Sequence, residues 1–369
     1  MPLGFSEIKA RLTGADCDTS PDIVFGPCAA IGDERIRWLD FTEENFTREI
    51  MEQPATLWTE PQKQKLLTKL KQWKVRAALE MARGTYGNPH GDLASPFQMT
   101  IDGEEVTFTN PLWKTSRASV LYGDGGFIAK ISNDTESARK GCRNENNVVQ
   151  ILRQSIASSP EFMSNFPRPV AFSGGNSCYE NYINNRWYSA AEIRTAMKGS
   201  VDLKTAAWLT VAIAKLMMKV HQQCYVHRAI RPEAVIVSLE RKIIELHGWE
   251  YAGTFSGTVP SYPDNDLNAS DVKAFMAGDA IGIRATPPSV DVYSLTMFFW
   301  HMVGGTVSAD SWLCSAVPNV CPESLPTNHP LTRYLRCCWL GPSARIPRMD
   351  LFLNEFSLLL RQLFAISIT

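Results

Sequence analysis

The chain has 369 residues, of which 44% are hydrophobic and 20% are charged, so it is long and apolar enough to bury a real core. Lys and Arg number 37 and Asp and Glu number 38, which gives a net charge of −1. No overall field then draws the chain to nucleic acid or to an anionic membrane, and neither partner is expected. The composition also excludes a collagen, a coiled coil and a long disordered chain.

The cysteines and the apolar segments indicate an intracellular compartment. The nine cysteines are scattered and form no Cys-x-x-Cys pair, so a reducing setting is expected, with neither a zinc site nor a disulfide framework. The N-terminal sequence MPLGFSEIKARLTG carries charges where a signal peptide needs a continuous apolar stretch. The most apolar windows, 206–220 and 290–304, are interrupted by polar side chains, so we predict two buried helices and no membrane span.

The first part of the chain, 1–100, is predicted to form an accessory helical segment. Capping and charge patterns predict a helix at 43–52, and apolar residues recur at helical spacing across 61–83. This second helix is amphipathic, because lysines and an arginine share its other face. The Gly-, Asn- and Pro-rich stretch 84–92 then predicts a domain boundary.

The elements predicted after residue 100 are short strands around one helix, followed by a mainly helical region. A Gly-Asp-Gly turn joins the second and third strands into a hairpin. The strands are predicted at 104–109, 117–122, 126–132, 168–173 and 177–183, and the helix at 136–154. The fold class is therefore α+β, with a small antiparallel sheet before a larger helical part.

Three motifs within this order resemble those of the protein kinase family. VHRAIRPEAVIV at 226–237 resembles the catalytic loop, His-Arg-Asp-x-x-x-x-Asn running into a short strand. FIAKI at 127–131 resembles the strand that carries the phosphate-pairing lysine, which would be Lys130. NENNVVQIL at 144–152 resembles the helix whose glutamate pairs with that lysine, which would be Glu145. The resemblance therefore implies a Lys130–Glu145 ion pair.

Three further segments follow the same family order. SCYENYI at 177–183 resembles the strand that enters the hinge between the two lobes. SVDVYSLTMFFWHMV at 289–303 resembles the large-lobe helix that begins at a buried aspartate, here Asp291. GPSARIPRMDLFLNEF at 341–356 resembles the last subdomain, with Arg345 as its structural arginine.

The resemblance implies a bilobal protein kinase-like fold behind the accessory segment. Residues 101–184 would form the small lobe, an antiparallel sheet with one helix. Residues 185–369 would form the larger helical lobe. The accessory segment, 1–100, would pack against this domain or against a partner.

The groups that phosphoryl transfer needs are missing from these motifs. Ala229 stands at the catalytic aspartate position and Ala234 at the metal-binding asparagine position, and a methyl group neither accepts a proton nor binds a cation. Aligning the following strand on its glycine puts Leu246 at the position of the metal-binding aspartate, and a shift by one residue puts His247 there. No glycine lies in 113–122, where a phosphate loop needs close backbone approach. The resemblance therefore implies a pseudokinase with no catalytic and no metal residues.

The surviving polar residues of the motifs are interpreted as structural. Lys130 and Glu145 would be the residual nucleotide cleft, kept because each satisfies the other's charge. No cofactor is expected, and metal-independent nucleotide binding in this cleft is the alternative. His227 and Arg228 are interpreted as buried polar residues of the core. His247 is interpreted as a buried histidine, with a general base as the alternative.

Two other pairs of residues near these motifs also have a structural interpretation. Glu245 and Glu233 are carboxylates close to the degenerate motifs, and they would hold a metal only if the ligand positions had migrated. Cys337 and Cys338 lie in the apolar sequence RYLRCCWL and are interpreted as core cysteines.

We expect the function of this chain to lie in its surfaces. A pseudokinase of this kind would act as a scaffold, a structural subunit or an allosteric partner of another protein. The alternative is an atypical metal-dependent phosphotransferase or nucleotidyltransferase with migrated catalytic residues, which the retained Lys130 and Glu145 permit. Metal-dependent nucleotide binding discriminates between the two.

Overall fold

The computed structural model describes most of the chain from Phe97 onward. The described residues are 97–114, 118–123, 127–133, 135–180, 188–197, 199–238, 242–255, 275–276, 287–307, 322, 325–340 and 347–366, with 48, 59–61 and 64 before them. The predicted helices at 43–52 and 61–83 lie almost entirely outside the described residues, as do the predicted boundary at 84–92 and Arg345. The chain divides into two compact units, Met1–Pro89 with Thr195–Lys198 and His90–Arg194 with Gly199–Thr369. The second unit carries the elements described below, apart from the last two residues of the helix Ala190–Ala196, which belong to the first unit.

A six-stranded antiparallel sheet is built first along the chain, with the spatial order β1-β2-β3-β4-β6-β5. Its strands are β1 Phe97–Ile101, β2 Glu104–Lys114, β3 Ala118–Gly123, β4 Phe127–Ser132, β5 Pro169–Ser173 and β6 Asn176–Glu180. The predicted hairpin is confirmed, because β3 pairs with β4 from Ala118 opposite Ser132 to Gly123 opposite Phe127. The four other strand pairs are antiparallel as well, so the sheet has the predicted antiparallel character.

One strand of the sheet, β1, was not predicted. Its sequence FQMTI alternates, with Met99 and Ile101 buried and Gln98 and Thr100 exposed. This alternation is typical of a strand with one face on the core. The run is short and follows a segment rich in turn residues, so the periodicity signal is weak. The strand starts the sheet before the predicted domain limit at residue 101.

The long α-helix of this part, α1 Glu136–Ser155, begins at the predicted residue and ends one residue after the predicted end, and a short 3₁₀ helix, Pro160–Asn165, follows it. The Thr135 side chain accepts a hydrogen bond from the Ala138 N–H at 3.1 Å and caps the first turn. An apolar face that includes Val148, Val149 and Leu152 is buried against the sheet. The predicted helix at 136–154 is therefore confirmed.

The C-terminal part is mainly helical, as predicted. Its helices are α2 Ala190–Ala196, α3 Leu203–Gln222, α4 Ser289–Met302, α5 Pro330–Leu340 and α6 Met349–Ile366. The helix α4 is buried on almost every side, and its neighbours contribute ring contacts such as Trp300 with Trp339 at 5.0 Å between centroids. The apolar windows 206–220 and 290–304 thus form buried helices. Among the residues that the structure describes, no helix combines the length and apolar character needed to cross a membrane.

Short strands form two further small sheets. The strand β7 Tyr188–Ser189 precedes α2, and four strands lie between α3 and α4: β8 Tyr225–Val226, β9 Val235–Ser238, β10 Ile243–Leu246 and β11 Gly253–Thr254. They form a β10-β9-β7 sheet and a β11-β8 pair, both antiparallel. The molecule is therefore an α+β protein with small antiparallel sheets and several helices.

The cysteine predictions are confirmed in part. The five described cysteines, Cys142, Cys178, Cys224, Cys337 and Cys338, are free thiols. Cys338 is buried, but Cys337 is exposed, so its placement in the core was wrong. Neighbouring residues on a helix point about 100° apart, and an amphipathic helix such as α5 buries only one of them.

Candidate functional site

Lys130 lies on an interior strand of the large sheet. In β4 it pairs with Val120 on one side and with Ser177 on the other. Its Nζ donates a hydrogen bond to Glu145 Oε2 at 2.5 Å, from the strand to helix α1. The predicted arrangement, with the lysine on a central strand and its glutamate on a helix against it, is confirmed.

A second carboxylate, which the sequence analysis did not identify, also contacts Lys130. Glu250 Oε1 accepts a hydrogen bond from Lys130 Nζ at 2.7 Å. The exposed fractions of the three side chains are 10% for Lys130, 0% for Glu145 and 2% for Glu250. Burial alone lowers the pKa of Lys130, but the charges of Glu145 and Glu250 outweigh it and raise the pKa above its usual value. The lysine is therefore a protonated cation enclosed by two acids.

Tyr179 completes this group, which we call the Lys130 centre: Lys130, Glu145, Glu250 and Tyr179. The Tyr179 hydroxyl donates to Glu145 Oε1 at 2.9 Å, so both oxygens of that carboxylate accept hydrogen bonds. Burial and the Glu145 charge hold the pKa of Tyr179 well above its usual value. Burial likewise raises the pKa of Glu145, and the opposing Lys130 charge does not fully offset it.

The turn that carries Glu250, Trp249–Tyr251, is tied to helix α1. Asn144 Nδ2 lies 3.3, 3.1 and 2.9 Å from the carbonyl oxygens of Trp249, Glu250 and Ala252. Before the turn, Gly248 has a φ of 78°, and an added Cβ would lie 3.1 Å from the Ala234 Cβ. Glycine is therefore required there by backbone conformation and by space.

Asp291 forms a second buried group, the Asp291 centre, with His221, His227 and Arg228. Its carboxylate accepts from the backbone N–H groups of His227 at 2.9 Å and Arg228 at 2.6 Å, and contacts His221 Nε2 at 2.9 Å. Burial raises the pKa of Asp291, but the hydrogen bond and charge of His221 outweigh it and lower the pKa overall. Arg228 has a φ of 72°, which a non-glycine residue rarely adopts, and the bond to Asp291 holds it there. The carboxylate fixes the backbone of the 227–234 loop.

His227 is buried in one neutral form. Its Nε2 lies 2.8 Å from the His247 carbonyl oxygen, and its Nδ1 lies 3.3 Å from the Ala229 N–H. A proton on Nε2 satisfies both contacts, whereas a second proton on Nδ1 would face another donor. Burial lowers the pKa of His227 to about 4. His227 and Arg228 are both buried polar residues, as interpreted from the sequence.

Ala229, Ala234 and Leu246, which stand where the kinase motifs have polar residues, each have only a hydrocarbon side chain. Ala229 and Ala234 are buried, and Leu246 is fully buried in β10 opposite Val235. None of these side chains can accept a proton or bind a hard cation. The strand β2 ends at Lys114 and β3 begins at Ala118, so only residues 115–117 connect them.

Glu245 and His247 contact each other instead of reaching the Lys130 ammonium. The distance from His247 Nε2 to Glu245 Oε1 is 2.6 Å, and the two side chains are 15% and 0% exposed. Burial raises the pKa of Glu245, and the His247 contact offsets this only in part. Glu233 Oε2 lies 3.9 Å from Arg231 Nε, and 37% of the Glu233 side chain is exposed. Within the described part of the chain, no three His, Cys, Asp or Glu side chains are grouped so that they could hold a metal ion.

The residues that sequence reasoning missed are Glu250, Tyr179 and Asn144. Glu250 lies two residues after Gly248, the glycine on which this segment was aligned, and the alignment assigned it no role. A charged residue between two large aromatic residues, in WEY, is the one local signal for a buried carboxylate. This pattern does not show which cation pairs with the Glu250 carboxylate.

Neither protein-family models nor curated proteins gave a match to this chain. What the chain does is therefore inferred from the geometry of the Lys130 and Asp291 centres.

Proposed function

We propose that this chain is a bilobal kinase-like protein that does not transfer phosphate and that acts by binding a protein partner. Its role would be that of a scaffold, a structural subunit or an allosteric partner. The ordered sheet, the Lys130–Glu145 pair and the Asp291 contacts to the 227–234 loop support the kinase-like part of the proposal. The observation that carries the inactive part is the enclosure of Lys130 by two buried carboxylates.

The charge of the Lys130 centre argues against a nucleotide phosphate at this lysine. Two carboxylate oxygens accept hydrogen bonds from Nζ at 2.5 and 2.7 Å. The centre then carries no net positive charge, because one ammonium faces two acids of which at least one is ionised. An anionic phosphate gains little there and would have to displace a charge-assisted hydrogen bond.

The metal requirement of phosphoryl transfer gives an independent argument. Magnesium needs oxygen ligands near the phosphates, and the acceptor hydroxyl needs an orienting carboxylate. Ala229, Ala234 and Leu246 supply none of these oxygens. The absence of glycine from 113–122 supports the same conclusion, since side chains crowd a backbone that must approach phosphates closely.

The experiment is a thermal-shift titration of the full chain with ATP, with and without magnesium, together with an assay of phosphate transfer to a generic acceptor. We expect no magnesium-dependent shift and no transfer. A ligand that binds the native state must raise the melting temperature, so an unchanged melting temperature reports that magnesium-ATP does not bind. Restoring one group with Ala229→Asp should not create activity, since catalytic groups that act together are strongly non-additive.

The alternative, an atypical metal-dependent phosphotransferase or nucleotidyltransferase, is favoured by one observation. His247 and Glu245 form a histidine–carboxylate pair at 2.6 Å, which is an arrangement used for general bases. Magnesium-dependent turnover by the unmodified chain, lost in His247→Gln or Glu245→Gln, would establish the enzyme and overturn the proposal.

A further inference from the structure

We propose that the outer face of helix α1, together with Phe172 of the strand β5, is the docking surface for the protein partner, and that it binds an acidic amphipathic segment of that partner. We call it the α1 surface, and its residues are Arg139, Lys140, Arg143, Ile151 and Phe172. The inference deepens the proposed function by naming the kind of partner, and it rests on the statement there that the chain acts by binding a protein.

The first observation is a set of apolar side chains in contact with solvent. Of the described residues, four large hydrophobic side chains are exposed, two on α1 and β5 and two on α6: Ile151, Phe172, Leu351 and Leu358. Ile151 is 43% exposed and Phe172 is 38% exposed. A single exposed apolar residue needs no explanation, so the relative placement of these two decides whether they form a surface.

The strand register places Phe172 on the same face of the sheet as α1. Phe172 pairs with Ser177, and Ser177 pairs with Lys130. Residues directly opposite each other in antiparallel strands point to the same face, and on that face Lys130 reaches Glu145 of α1. Phe172 therefore lies on the helix side of the sheet, in the edge strand, two strands and about 10 Å from Lys130.

The second observation is an excess of positive charge on the outer face of α1. Three cations contact the Glu136 carboxylate, at 3.1, 3.6 and 3.9 Å from Arg143, Arg139 and Lys140. The other acid of this helix, Glu145, is buried and faces the opposite way. One exposed carboxylate is thus outnumbered by three cations.

Helical spacing joins the cations to the exposed isoleucine. At 100° per residue, Arg139, Lys140, Arg143 and Ile151 project within one arc of about 120°. The exposed Gln150 continues this face, and Ile151 lies about 12 Å beyond Arg143 along the axis. The face is therefore cationic in its first half and ends in an uncharged half with an exposed apolar side chain.

The β5–β6 hairpin lies against the cationic half of the same helix. An added Cβ at Gly175, in the turn of this hairpin, would lie 2.9 Å from Arg139 Cγ. Phe172 is three residues before Gly175 in the same hairpin. The cations and both apolar side chains thus belong to one surface formed by α1 and β5.

The inner face of α1 fixes this surface in place. Glu145 is held by Lys130 and Tyr179, and Asn144 contacts three carbonyl oxygens of the 249–252 segment. A partner that binds the outer face therefore meets a helix that is already positioned, which lowers the entropic cost of binding.

Charge complementarity selects an acidic partner for the α1 surface. Carboxylates on one half of a bound segment would face the cations, and apolar side chains on its other half would cover Ile151 and Phe172. The exposed leucines of α6 offer no such match, because that helix carries two acids, Asp350 and Glu355, and one cation, Arg361. The α6 helix is thus a matched control.

The test measures binding of three fluorescent peptides of about 18 residues to the full chain by fluorescence anisotropy. The first peptide has glutamates in one half and a stripe of leucine and phenylalanine in the other. The second has lysines in place of the glutamates, and the third has serines in place of the apolar residues. We expect the first peptide to bind saturably, at least tenfold more tightly than the other two and more weakly at high salt.

Two double variants locate the binding on the α1 surface. Lys140→Glu with Arg143→Glu, and Ile151→Ser with Phe172→Ser, should each weaken binding of the first peptide at least tenfold. The charge-reversed variant should also bind the lysine peptide more tightly than the unmodified chain does. The α6 controls, Leu351→Ser and Arg361→Glu, should change binding less than twofold.

The inference is overturned if the unmodified chain binds none of the peptides, or if it binds the lysine or the serine peptide as tightly as the first. These comparisons need no variant, so they stand even if a substitution unfolds the chain. Equal weakening by the α1 and α6 variants would also overturn it. Failure of the proposed function is a different result, magnesium-dependent turnover of ATP by the unmodified chain, and peptide binding does not bear on it.

Discussion

The Asp291 centre and the Lys130 centre both bury carboxylates, but they satisfy them with different donors. Asp291 accepts hydrogen bonds from two backbone N–H groups of the 227–234 loop and contacts His221 of helix α3. Glu145 and Glu250 share one lysine and come from a helix and from a turn that is remote from it in sequence. The first centre therefore fixes a local backbone conformation, whereas the second joins distant segments through charge.

The difference decides how each centre responds to substitution. A buried ion pair loses much stability when one partner is removed, because the other charge is left uncompensated. Replacing a carboxylate that accepts from backbone N–H groups removes hydrogen bonds instead, and the N–H donors are then buried without a partner. Stability measurements on the two centres can therefore test the comparison directly.

The largest effect is expected for Lys130→Met, which leaves two buried carboxylates without their cation. We expect a loss of about 3–5 kcal/mol in the free energy of unfolding. Adding Glu145→Leu should recover part of that loss, and adding Glu250→Gln as well should recover more. Urea unfolding of the single, double and triple variants measures this series.

The matched control for Lys130→Met is Lys140→Met, whose lysine is 72% exposed and lies 3.9 Å from Glu136. It should change stability by no more than about 0.5 kcal/mol. Unchanged stability of Lys130→Met, together with loss of nucleotide binding, would contradict the structural interpretation of the Lys130 centre.

A smaller loss is expected for Asp291→Asn. The amide nitrogen of asparagine places a donor against the N–H of His227 or Arg228, so one backbone group loses its acceptor in the core. We expect a loss of about 3 kcal/mol by urea unfolding. Asp350→Asn, in a surface pair with Arg348 at 3.3 Å, should cost no more than about 0.5 kcal/mol. Equal losses of stability in Lys130→Met and Asp291→Asn would remove the distinction between the two centres.

The smallest expected effect is a loss of stability at acid pH, caused by protonation of His227 in the Asp291 centre. The pKa of His227 is about 4 in the folded chain, below its ordinary value of 6.5, so its neutral form is the folded form. Stability from this group is complete above pH 6.5 and is lost as the pH falls towards 4, since the unfolded chain takes up the proton first. The loss should reach about 2 kcal/mol by pH 5.

Urea midpoints between pH 7 and pH 5 measure this dependence in the unmodified chain and in His227→Gln, whose amide can still donate to the His247 carbonyl oxygen. The variant should show a shallower slope. An identical slope in both proteins would assign the acid sensitivity to other groups, among which His301, with its pKa lowered to about 4 by burial, is the first to examine.

Much of the fold could be predicted because its signals are local. The β3–β4 hairpin follows from alternating residues around a glycine turn, and α1 follows from its apolar spacing and its Thr135 cap. The strand β1 was missed because its run of five residues is too short to stand out. Cys337 was misplaced because an apolar helix sequence does not show which of two adjacent residues faces the core.

Part of the candidate site could likewise be predicted from local sequence, and part could not. The amino-acid sequence alone excludes proton acceptance and cation binding by the side chains of Ala229, Ala234 and Leu246, since these side chains lack the necessary atoms in any conformation. The resemblance of FIAKI at 127–131 and NENNVVQIL at 144–152 to kinase motifs implied that Lys130 would pair with Glu145, and the structure brings the two side chains together. The second carboxylate, Glu250, is 120 residues from Lys130 in the chain, so its contact with the lysine is visible only in the folded structure. Distance and burial set the strength of such a charge interaction, and both arise when remote segments pack.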